Sequence, residues 1–282
     1  MSRGARPAGA ALNAVGRVAP GLAGRAGFRL FRSPLRRGEI LPLERAVHER
    51  ATTGLLTVNG KRVRVYRWGT GERPVLLLHG WQSRASRYAG LVPRLEALGL
   101  SPVSFDAPGH GSSGGRETTI LEYREIIGLL HARYGAFHSV VAHSLGATSA
   151  FLALRGDVAA GRLVTVAAVN DFGHFPDEFG RMLRLRPALR ADLRHRIEHL
   201  LFAEVDNPWE LFDATRRPGE IAVPMRIIHD EDDEMVPVAQ AHALKAAYGD
   251  QAELFLTKGL GHRKVLGEPE VIERAVEFVA RA

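Results

Sequence analysis

The sequence predicts an α/β fold in which a mostly parallel sheet of eight strands carries helices on both faces. From Leu55 onward, short runs rich in β-branched and other apolar residues alternate with amphipathic helical stretches, a pattern typical of such a sheet. The alternation breaks once. Between a strand ending near Val169 and one beginning at Met225 lie about fifty residues with helical periodicity and no strand. We therefore predict a helical cap inserted after the sixth strand.

Apolar periodicity and the flanking glycines and prolines place the individual elements. The predicted strands are 55–58, 62–68, 75–79, 101–105, 139–143, 163–169, 225–229 and 252–256. The clearest predicted helices are 86–98, 118–134, 145–155, 238–248 and 269–281. We expect three units along the chain, namely a basic N-terminal extension at 1–37, a core formed by 38–170 and 221–282, and the cap at 171–220.

Length and composition restrict the chemistry that the chain can perform. With 282 residues, 45% of them hydrophobic, it can build one large core. The chain has no cysteine, which excludes disulfides, thiolate metal sites and a cysteine nucleophile, and nothing indicates an oxidising compartment. No apolar run approaches the roughly 18 residues of a transmembrane helix, so we expect no stable membrane insertion and a cytoplasmic location. Catalysis would depend on Ser, His, Asp, Glu or Lys.

The N-terminal extension holds most of the excess positive charge. Residues 1–37 contain eight arginines and no acidic residue, and removing those charges from the formal net charge of +7 leaves −1 for the rest. The extension has no interleaved aromatics and no nucleic-acid motif, so we expect no nucleic-acid binding. Its apolar residues repeat at helical spacing, at Leu12, Val15, Ala19, Leu22 and Ala26. Packing on the domain, partial disorder, peripheral contact with a membrane and a cleavable targeting peptide all stay open.

A candidate nucleophile follows the fifth predicted strand. That strand runs into Ala142-His143-Ser144-Leu145-Gly146 and then into a helix, so Ser144 lies on a sharp strand-to-helix turn of the nucleophile-elbow type. The motif departs from G-x-S-x-G by one methyl group, at Ala142. The amide of Leu145, at the start of the helix, would point toward a developing oxyanion. A serine that only caps the helix is the alternative.

Two further loops follow predicted strands. In LLLHGW the strand ends at His79-Gly80-Trp81, where the amide of Trp81 could supply a second oxyanion donor and His79 is expected to be structural. The Gly- and Pro-rich run from Asp106 to Ser112 is interpreted as a rigid turn, with Asp106 accepting hydrogen bonds from loop amides.

The substrate pocket is expected to combine these loops with the cap. We predict that five side chains contact substrate, those of Trp81, Gln82, His143, Phe175 and Phe179. The apolar residues of the cap favour apolar acyl or alcohol groups, although many of them would simply pack the cap onto the core. The cap also carries six arginines between Arg181 and Arg196, which could steer anionic esters or form a solvated helix face.

Taken together, the segments HGW, DAPGHGSS, AHSLGA, HDEDDEMVP and GLGH, in this order and spacing, resemble the α/β-hydrolase superfamily over roughly residues 55–282. The resemblance implies the α/β-hydrolase fold and a serine, acid and histidine in that chain order. Members include carboxylesterases, lipases, thioesterases, peptidases, dehalogenases and a few non-catalytic receptors. The motifs are specific for the fold and not for the substrate.

The resemblance also implies the two partners of Ser144. It places the acid at Asp233, in the string D-x-x-V-P that follows the strand after the cap, with Asp232, Asp230 and Asp171 as competitors. It places the base at His262, which follows the last strand in GLGH. The acidic cluster around Asp233 has no second group of ligands at useful spacing, so we predict no metal.

The expected chemistry needs no cofactor. Ser144 would attack a carbonyl carbon, His262 would take its proton, Asp233 would orient the ring, and an acyl-enzyme would be hydrolysed by water. We predict cleavage of carboxylic esters with small to medium apolar groups, and a small-molecule ester as partner. A thioesterase or amidase of the same fold, or a non-catalytic ligand-binding homologue, stays open, as does the oligomeric state.

Overall fold

The structure is a computed structural model that describes residues 5–281, and it is built around one eight-stranded sheet. The strands lie in the order β1-β2-β4-β3-β5-β6-β7-β8. They are β1 (Thr52–Val58), β2 (Lys61–Arg67), β3 (Pro74–Leu78), β4 (Ser101–Phe105), β5 (Ser139–His143), β6 (Leu163–Val166), β7 (Met225–Asp230) and β8 (Ala252–Thr257). The β1–β2 and β2–β4 pairs are antiparallel and the other five are parallel.

Helices connect and cover the strands. They are α1 (Ala5–Val18), α2 (Pro20–Arg32), α3 (Pro42–Glu49), α4 (Val92–Ala97), α5 (Ile120–Tyr134), α6 (Leu145–Leu154), α7 (His174–Met182), α8 (Pro187–Arg196), α9 (Pro208–Leu211), α10 (Ala239–Tyr248), α11 (Gly261–Lys264) and α12 (Pro269–Ala280). One apolar cluster joins the sheet to α5, α6 and α10, and a second joins its other face to α4 and α12. The predicted fold class, a mostly parallel eight-stranded sheet covered on both faces, is confirmed.

The central strands are buried on both sides, and this explains their sequences. All five residues of β3 and all five of β5 are buried. A strand covered by helices on both faces has no polar side, so it is expected to be an almost continuous apolar run rather than an alternating one. The carboxyl ends of these parallel strands meet at one edge of the sheet, where ligands bind in open α/β sheets.

Three elements differ from the sequence prediction. Strand β1 begins at Thr52, three residues before its predicted start at Leu55. The predicted helix 86–98 is a 3-10 turn at Ala85–Tyr88 followed by the separate helix α4. Pro93 lies in the first turn of α4, where its missing N–H costs nothing, and a helix running through it would lose a hydrogen bond. The strand predicted at 163–169 ends at Val166, because Ala167 has a φ of 48° and leaves the extended conformation.

The segment between β6 and β7 is helical. It contains α7, α8, a π-helical turn at Ile197–Leu201 and α9, and we call residues 171–220 the cap segment. Its aromatic rings form a cluster in which Phe172 lies 5.1 Å from Phe212 and 5.6 Å from Phe202, measured between ring centroids. This cluster also contains Phe28 of α2 and Leu152 of α6, so it joins the cap segment to both neighbours.

Helices α1 and α2 form a hairpin that packs on the cap segment, mainly on α8. Asn13 fixes it, because its side chain donates to the carbonyl of Arg184 at 2.9 Å and accepts from the amide of Arg186 at 3.0 Å. The buried face of the hairpin includes five small residues beside larger ones such as Leu12 and Phe28, namely Gly9, Gly16, Ala23, Gly24 and Gly27. The apolar stripe predicted from spacing is therefore split, since Val15, Leu22 and Ala26 are exposed. Small residues matter here because a Cβ at Gly9 would lie 1.8 Å from the carbonyl oxygen of Leu183 and one at Gly24 would lie 2.0 Å from the Asp192 carboxylate.

None of the helices within residues 5–281 combines the length and the apolar composition needed to cross a bilayer.

Candidate active site

Ser144 occupies the turn between β5 and α6 in a conformation rare for a residue with a side chain. Its φ is 54° and its ψ is −121°. Such strain costs about 1–3 kcal/mol and persists only where the surroundings impose it. Here the amide of Ser144 donates to the carbonyl of Val166 at 3.1 Å, and its own carbonyl accepts from the amide of Ala147 at 2.9 Å. The side chain makes no capping hydrogen bond to α6, so the capping alternative does not describe this serine.

The elbow depends on close packing between α6 and the end of β3. A Cβ at Gly146 would lie 2.4 Å from the carbonyl oxygen of Leu78. Two residues before Ser144, Ala142 is fully buried and pairs in register with Leu78 on one side and Thr165 on the other. A methyl group at this position is therefore accommodated, and glycine is required only on the helical side of the turn.

Three side chains from three strand ends form one chain of hydrogen bonds. The distance from Ser144 Oγ to His262 Nε2 is 3.0 Å, and the distance from His262 Nδ1 to Asp233 Oδ2 is 2.7 Å. Ser144 follows β5, Asp233 follows β7 and His262 follows β8. All three residues are buried. In this geometry the ring donates from Nδ1 to the carboxylate and accepts the serine hydroxyl at Nε2.

Asp233 is held as a carboxylate. Burial alone would raise its pKa, but the hydrogen bond and charge of His262 and the amides of Val236 and Met235 lower the pKa below its usual value. Both amides donate to Oδ1, at 2.9 and 2.8 Å, which leaves Oδ2 for His262. The ionised form is therefore available to orient the ring and to stabilise a positive charge on it.

The competing carboxylates lie elsewhere. Asp230 is buried and accepts hydrogen bonds from the amides of Leu260 at 3.1 Å and Gly261 at 2.8 Å, so it fixes the loop that carries His262. Asp232 is exposed. Asp171 is exposed as well, and its carboxylate accepts from the amide of Gly173 at 2.8 Å. Of the four aspartates considered, only Asp233 reaches the His262 ring.

One predicted oxyanion donor, Leu145, follows Ser144 in the chain, and the other, Trp81, lies in the loop that contacts Ser144. Leu145 is the first residue of α6, so its amide has no partner within the helix. Trp81 follows Gly80, where a Cβ would lie only 2.8 Å from the Cβ of Ser144. The loop that follows β3, residues 79–82, is called the β3 loop, and it is therefore in direct contact with the elbow. A donor role for both amides stays a prediction.

The comparisons with known proteins agree with this architecture. Residues 75–281 match the model of the alpha/beta hydrolase family. The chain belongs to the alpha/beta hydrolase family. The resemblance inferred from the motifs is thereby confirmed.

Solved structures show the same fold at low sequence identity. An esterase from Pyrococcus furiosus has a TM-score of 0.62 and 19% identity, and the match covers 88% of this chain and 97% of that one. A monoacylglycerol lipase from Paleococcus ferrophilus has a TM-score of 0.59 and 20% identity, covering 77% and 98%. The thioesterase domain from the curacin biosynthetic pathway has a TM-score of 0.56 and 16% identity, covering 82% and 99%.

In this α/β hydrolase, two buried histidines support the loops around Ser144. His79 accepts the amide of Ala107 at Nε2, at 3.0 Å, and donates from Nδ1 to the carbonyl of Gly80 at 2.8 Å. His143 donates from Nε2 to the backbone carbonyl of His262 at 2.9 Å. Burial lowers the pKa of both, that of His143 to about 3, so both rings are neutral. His79 thus has the structural place expected of it.

His143 has a positioning contact that sequence reasoning missed. Its ring lies 4.9 Å from the His262 ring, centroid to centroid, beneath the loop that carries the base. The alternation of residues along β5 indicates that His143 lies on one side of the sheet. It does not indicate which loop lies on that side. Direct contact of His143 with substrate stays a prediction.

Of the other predicted pocket residues, two lie in the loop after β3 and two lie on α7 of the cap segment. Trp81 is partly exposed and packs edge-on against His110, with ring centroids 5.1 Å apart. Gln82 is partly exposed with a φ of 53°. Phe175 touches both the core and the cap-segment cluster. Phe179 packs on Phe31 of α2, at 5.4 Å, so part of its surface is used by the hairpin.

Several arginines of the cap segment have carboxylate partners. Arg181 pairs with Glu178, Arg194 with Asp177 and Arg196 with Asp192. The guanidinium of Arg194 also lies over the Trp209 ring, 4.3 Å from its centroid. For these three arginines, the pairings favour a solvated helix face with paired charges over the steering of anionic esters.

A buried ion pair below the β3 loop was also missed. Asp106 accepts from the amides of Ala85 at 2.9 Å and Ser112 at 2.7 Å, as expected of a turn aspartate, and its Oδ2 also lies 3.3 Å from Arg84 Nη2. Burial raises the pKa of Asp106, but the Arg84 charge and these amides lower it overall. An isolated arginine after HGW offered no signal of this contact. Within residues 5–281 no three His, Cys, Asp or Glu side chains cluster as a metal site would require.

Proposed function

We propose that this α/β hydrolase cleaves carboxylic esters through an acyl-enzyme, with Ser144 as nucleophile, His262 as general base and Asp233 as the orienting carboxylate. The observation that supports the proposal most strongly is the unbroken hydrogen-bond chain Ser144–His262–Asp233 on a strained elbow. A serine hydroxyl is a weak nucleophile at neutral pH, and a neutral imidazole within hydrogen-bond distance overcomes this limit.

In the proposed reaction His262 takes the hydroxyl proton at Nε2 while Ser144 Oγ bonds to the carbonyl carbon. The imidazolium is stabilised by Asp233 at 2.7 Å. The amides of Leu145 and Trp81 would hold the oxyanion, and one such donor typically lowers the barrier by about 2.7–4 kcal/mol. His262 then protonates the leaving alcohol. Water, activated by the same ring, releases the acid and restores Ser144.

We also propose that the substrate carries apolar groups of small to medium size. The cap segment contributes an aromatic cluster, and Phe175 packs against both this cluster and the apolar cluster of the core. Apolar groups of a substrate would gain the most binding energy by packing against such an apolar surface. The same arrangement can attack thioesters and amides. The assay described next therefore compares esters with thioesters.

The test is turnover of p-nitrophenyl esters of increasing acyl length, in parallel with acyl thioesters, by the wild type and by Ser144→Ala. We expect ester cleavage that Ser144→Ala loses and that falls once the acyl chain outgrows the pocket. Thioester cleavage far above ester cleavage would replace the ester by a thioester. A well-folded wild type that turns over neither substrate would contradict the proposal and support a ligand-binding homologue.

A further inference from the structure

The outer face of the α1–α2 hairpin, which points away from the cap segment, exposes large apolar side chains. Val18 is 86% exposed and Leu22 is 55% exposed, and both lie beside the turn at Ala19 and Pro20. Val15, one turn earlier on α1, is exposed as well. The other face of the hairpin already packs on α8 and the loop before it. Val18 and Leu22 therefore present more than half of their surface to solvent rather than to the cap segment.

Arginines border the same face. Arg17, Arg25 and Arg29 are exposed, and within the described part of the chain none of them has a carboxylate partner. Leu22, Arg25, Ala26 and Arg29 follow one another at helical spacing on α2, so apolar and cationic side chains share one stripe.

No acidic residue of the extension offsets this charge, because residues 1–37 contain none. Asp192 of α8 lies against Gly24, but its carboxylate is already paired with Arg196 at 2.7 Å. The charge of the outer face is thus available to an external partner.

We propose that the outer face of the hairpin docks this protein on the surface of a membrane that contains anionic lipids. A helix face that combines arginines with exposed apolar residues binds in the headgroup region, where cations meet lipid phosphates and apolar groups enter the acyl boundary. A nucleic acid fits this face less well. Its phosphate backbone would leave the apolar residues at the turn without a partner, and the face has no aromatic ring for base stacking. Two copies of this face would repel each other.

Docking in this way fixes the orientation of the enzyme. The hairpin rests on α8, so the cap segment is the part of the molecule carried next to the lipid. The proposal goes beyond the ester hydrolysis proposed above and does not depend on it, because lipid binding is measured without turnover.

The experiment is co-sedimentation of the full chain with vesicles of phosphatidylcholine alone and of phosphatidylcholine mixed with phosphatidylglycerol. We expect binding to the mixed vesicles that weakens as salt is added. Each arginine at an anionic surface contributes about a fivefold change in partitioning, so the triple variant Arg17→Gln, Arg25→Gln, Arg29→Gln should bind about 100-fold more weakly. The double variant Val18→Asp, Leu22→Asp should lose about tenfold or more.

Matched controls replace equally exposed residues elsewhere. Leu43 on α3 is 96% exposed, and Leu43→Asp should bind like the wild type. The triple variant Arg62→Gln, Arg73→Gln, Arg124→Gln removes three exposed arginines of the core and should lose far less than the hairpin triple. Equal binding to both kinds of vesicle, or equal losses in the control triple, would overturn the proposal. So would tight binding to a DNA duplex that the Val18 and Leu22 changes leave intact.

Discussion

Replacing Asp233 by asparagine changes one hydrogen bond at the centre of the site. In the wild type Oδ1 accepts the amides of Met235 and Val236, and Oδ2 accepts from His262 Nδ1 at 2.7 Å. The carbonyl oxygen of an asparagine can keep both amides. Its NH2 group then faces His262 and donates to Nδ1, so the ring proton moves to Nε2, opposite Ser144.

In that tautomer the ring cannot accept the serine proton. The cost expected from losing the correct tautomer in a serine, histidine and aspartate arrangement is about 10⁴ in kcat, or about 5.5 kcal/mol of barrier. KM should change little, because Asp233 is buried behind the ring. Stability should also change little, since both amides keep their acceptor and one buried charge is removed.

The assay is steady-state hydrolysis of a short p-nitrophenyl ester, with far-ultraviolet circular dichroism and urea unfolding to verify the fold. Asp232→Asn and Asp171→Asn are the matched controls, because both carboxylates are exposed and neither contacts His262. Both should keep wild-type kcat. A kcat of Asp233→Asn within about tenfold of the wild type, or an equally large fall in the kcat of Asp232→Asn, would contradict the role of Asp233.

Three further predictions concern stability. Gly146→Ala should lower the free energy of unfolding by about 1–3 kcal/mol and reduce ester turnover, because its Cβ would lie 2.4 Å from a β3 carbonyl oxygen; urea unfolding measures this, and unchanged stability would contradict it. Arg84→Met should cost about 3–5 kcal/mol, since the Asp106 carboxylate stays buried without its cation, and adding Asp106→Asn should recover part of the loss in the same measurement. Burial lowers the pKa of His110 and His143 to about 3, whereas the unfolded pKa is about 6.5. The contribution of the two neutral rings to the free energy of unfolding is therefore complete above about pH 6.5. It is lost as the pH falls toward 3, by up to about 1.4 kcal/mol per pH unit for each ring. Equal free energies of unfolding at about pH 7 and about pH 5 would show this to be wrong.

The sheet and the positions at its carboxyl edge could be predicted from the sequence because both depend on local patterns. Buried parallel strands are short apolar runs, and residues directly after them meet at one edge whatever the loops do in detail. Ser144 could be placed at this edge from its strand-to-helix turn, whereas Asp233 and His262 were implied by the resemblance to the α/β hydrolases. In the structure the three side chains form one chain of hydrogen bonds.

Other features depend on contacts between distant segments, which periodicity does not describe. The predicted stripe of the extension consisted of Leu12, Val15, Ala19, Leu22 and Ala26, yet Gly9 and Ala23, which are not in it, are buried and Leu22 faces solvent. The ion pair of Arg84 with Asp106 and the support that His143 gives to the His262 loop likewise join parts of the chain that have no local signature.

The most direct test of the proposed activity is labelling with a fluorophosphonate probe, followed by mass spectrometry of the modified peptide. An activated serine should react in the wild type, the adduct should lie on Ser144, and both Ser144→Ala and His262→Ala should abolish it. A folded wild type that stays unlabelled, or an adduct on another serine, would contradict the assignment of Ser144 as the nucleophile.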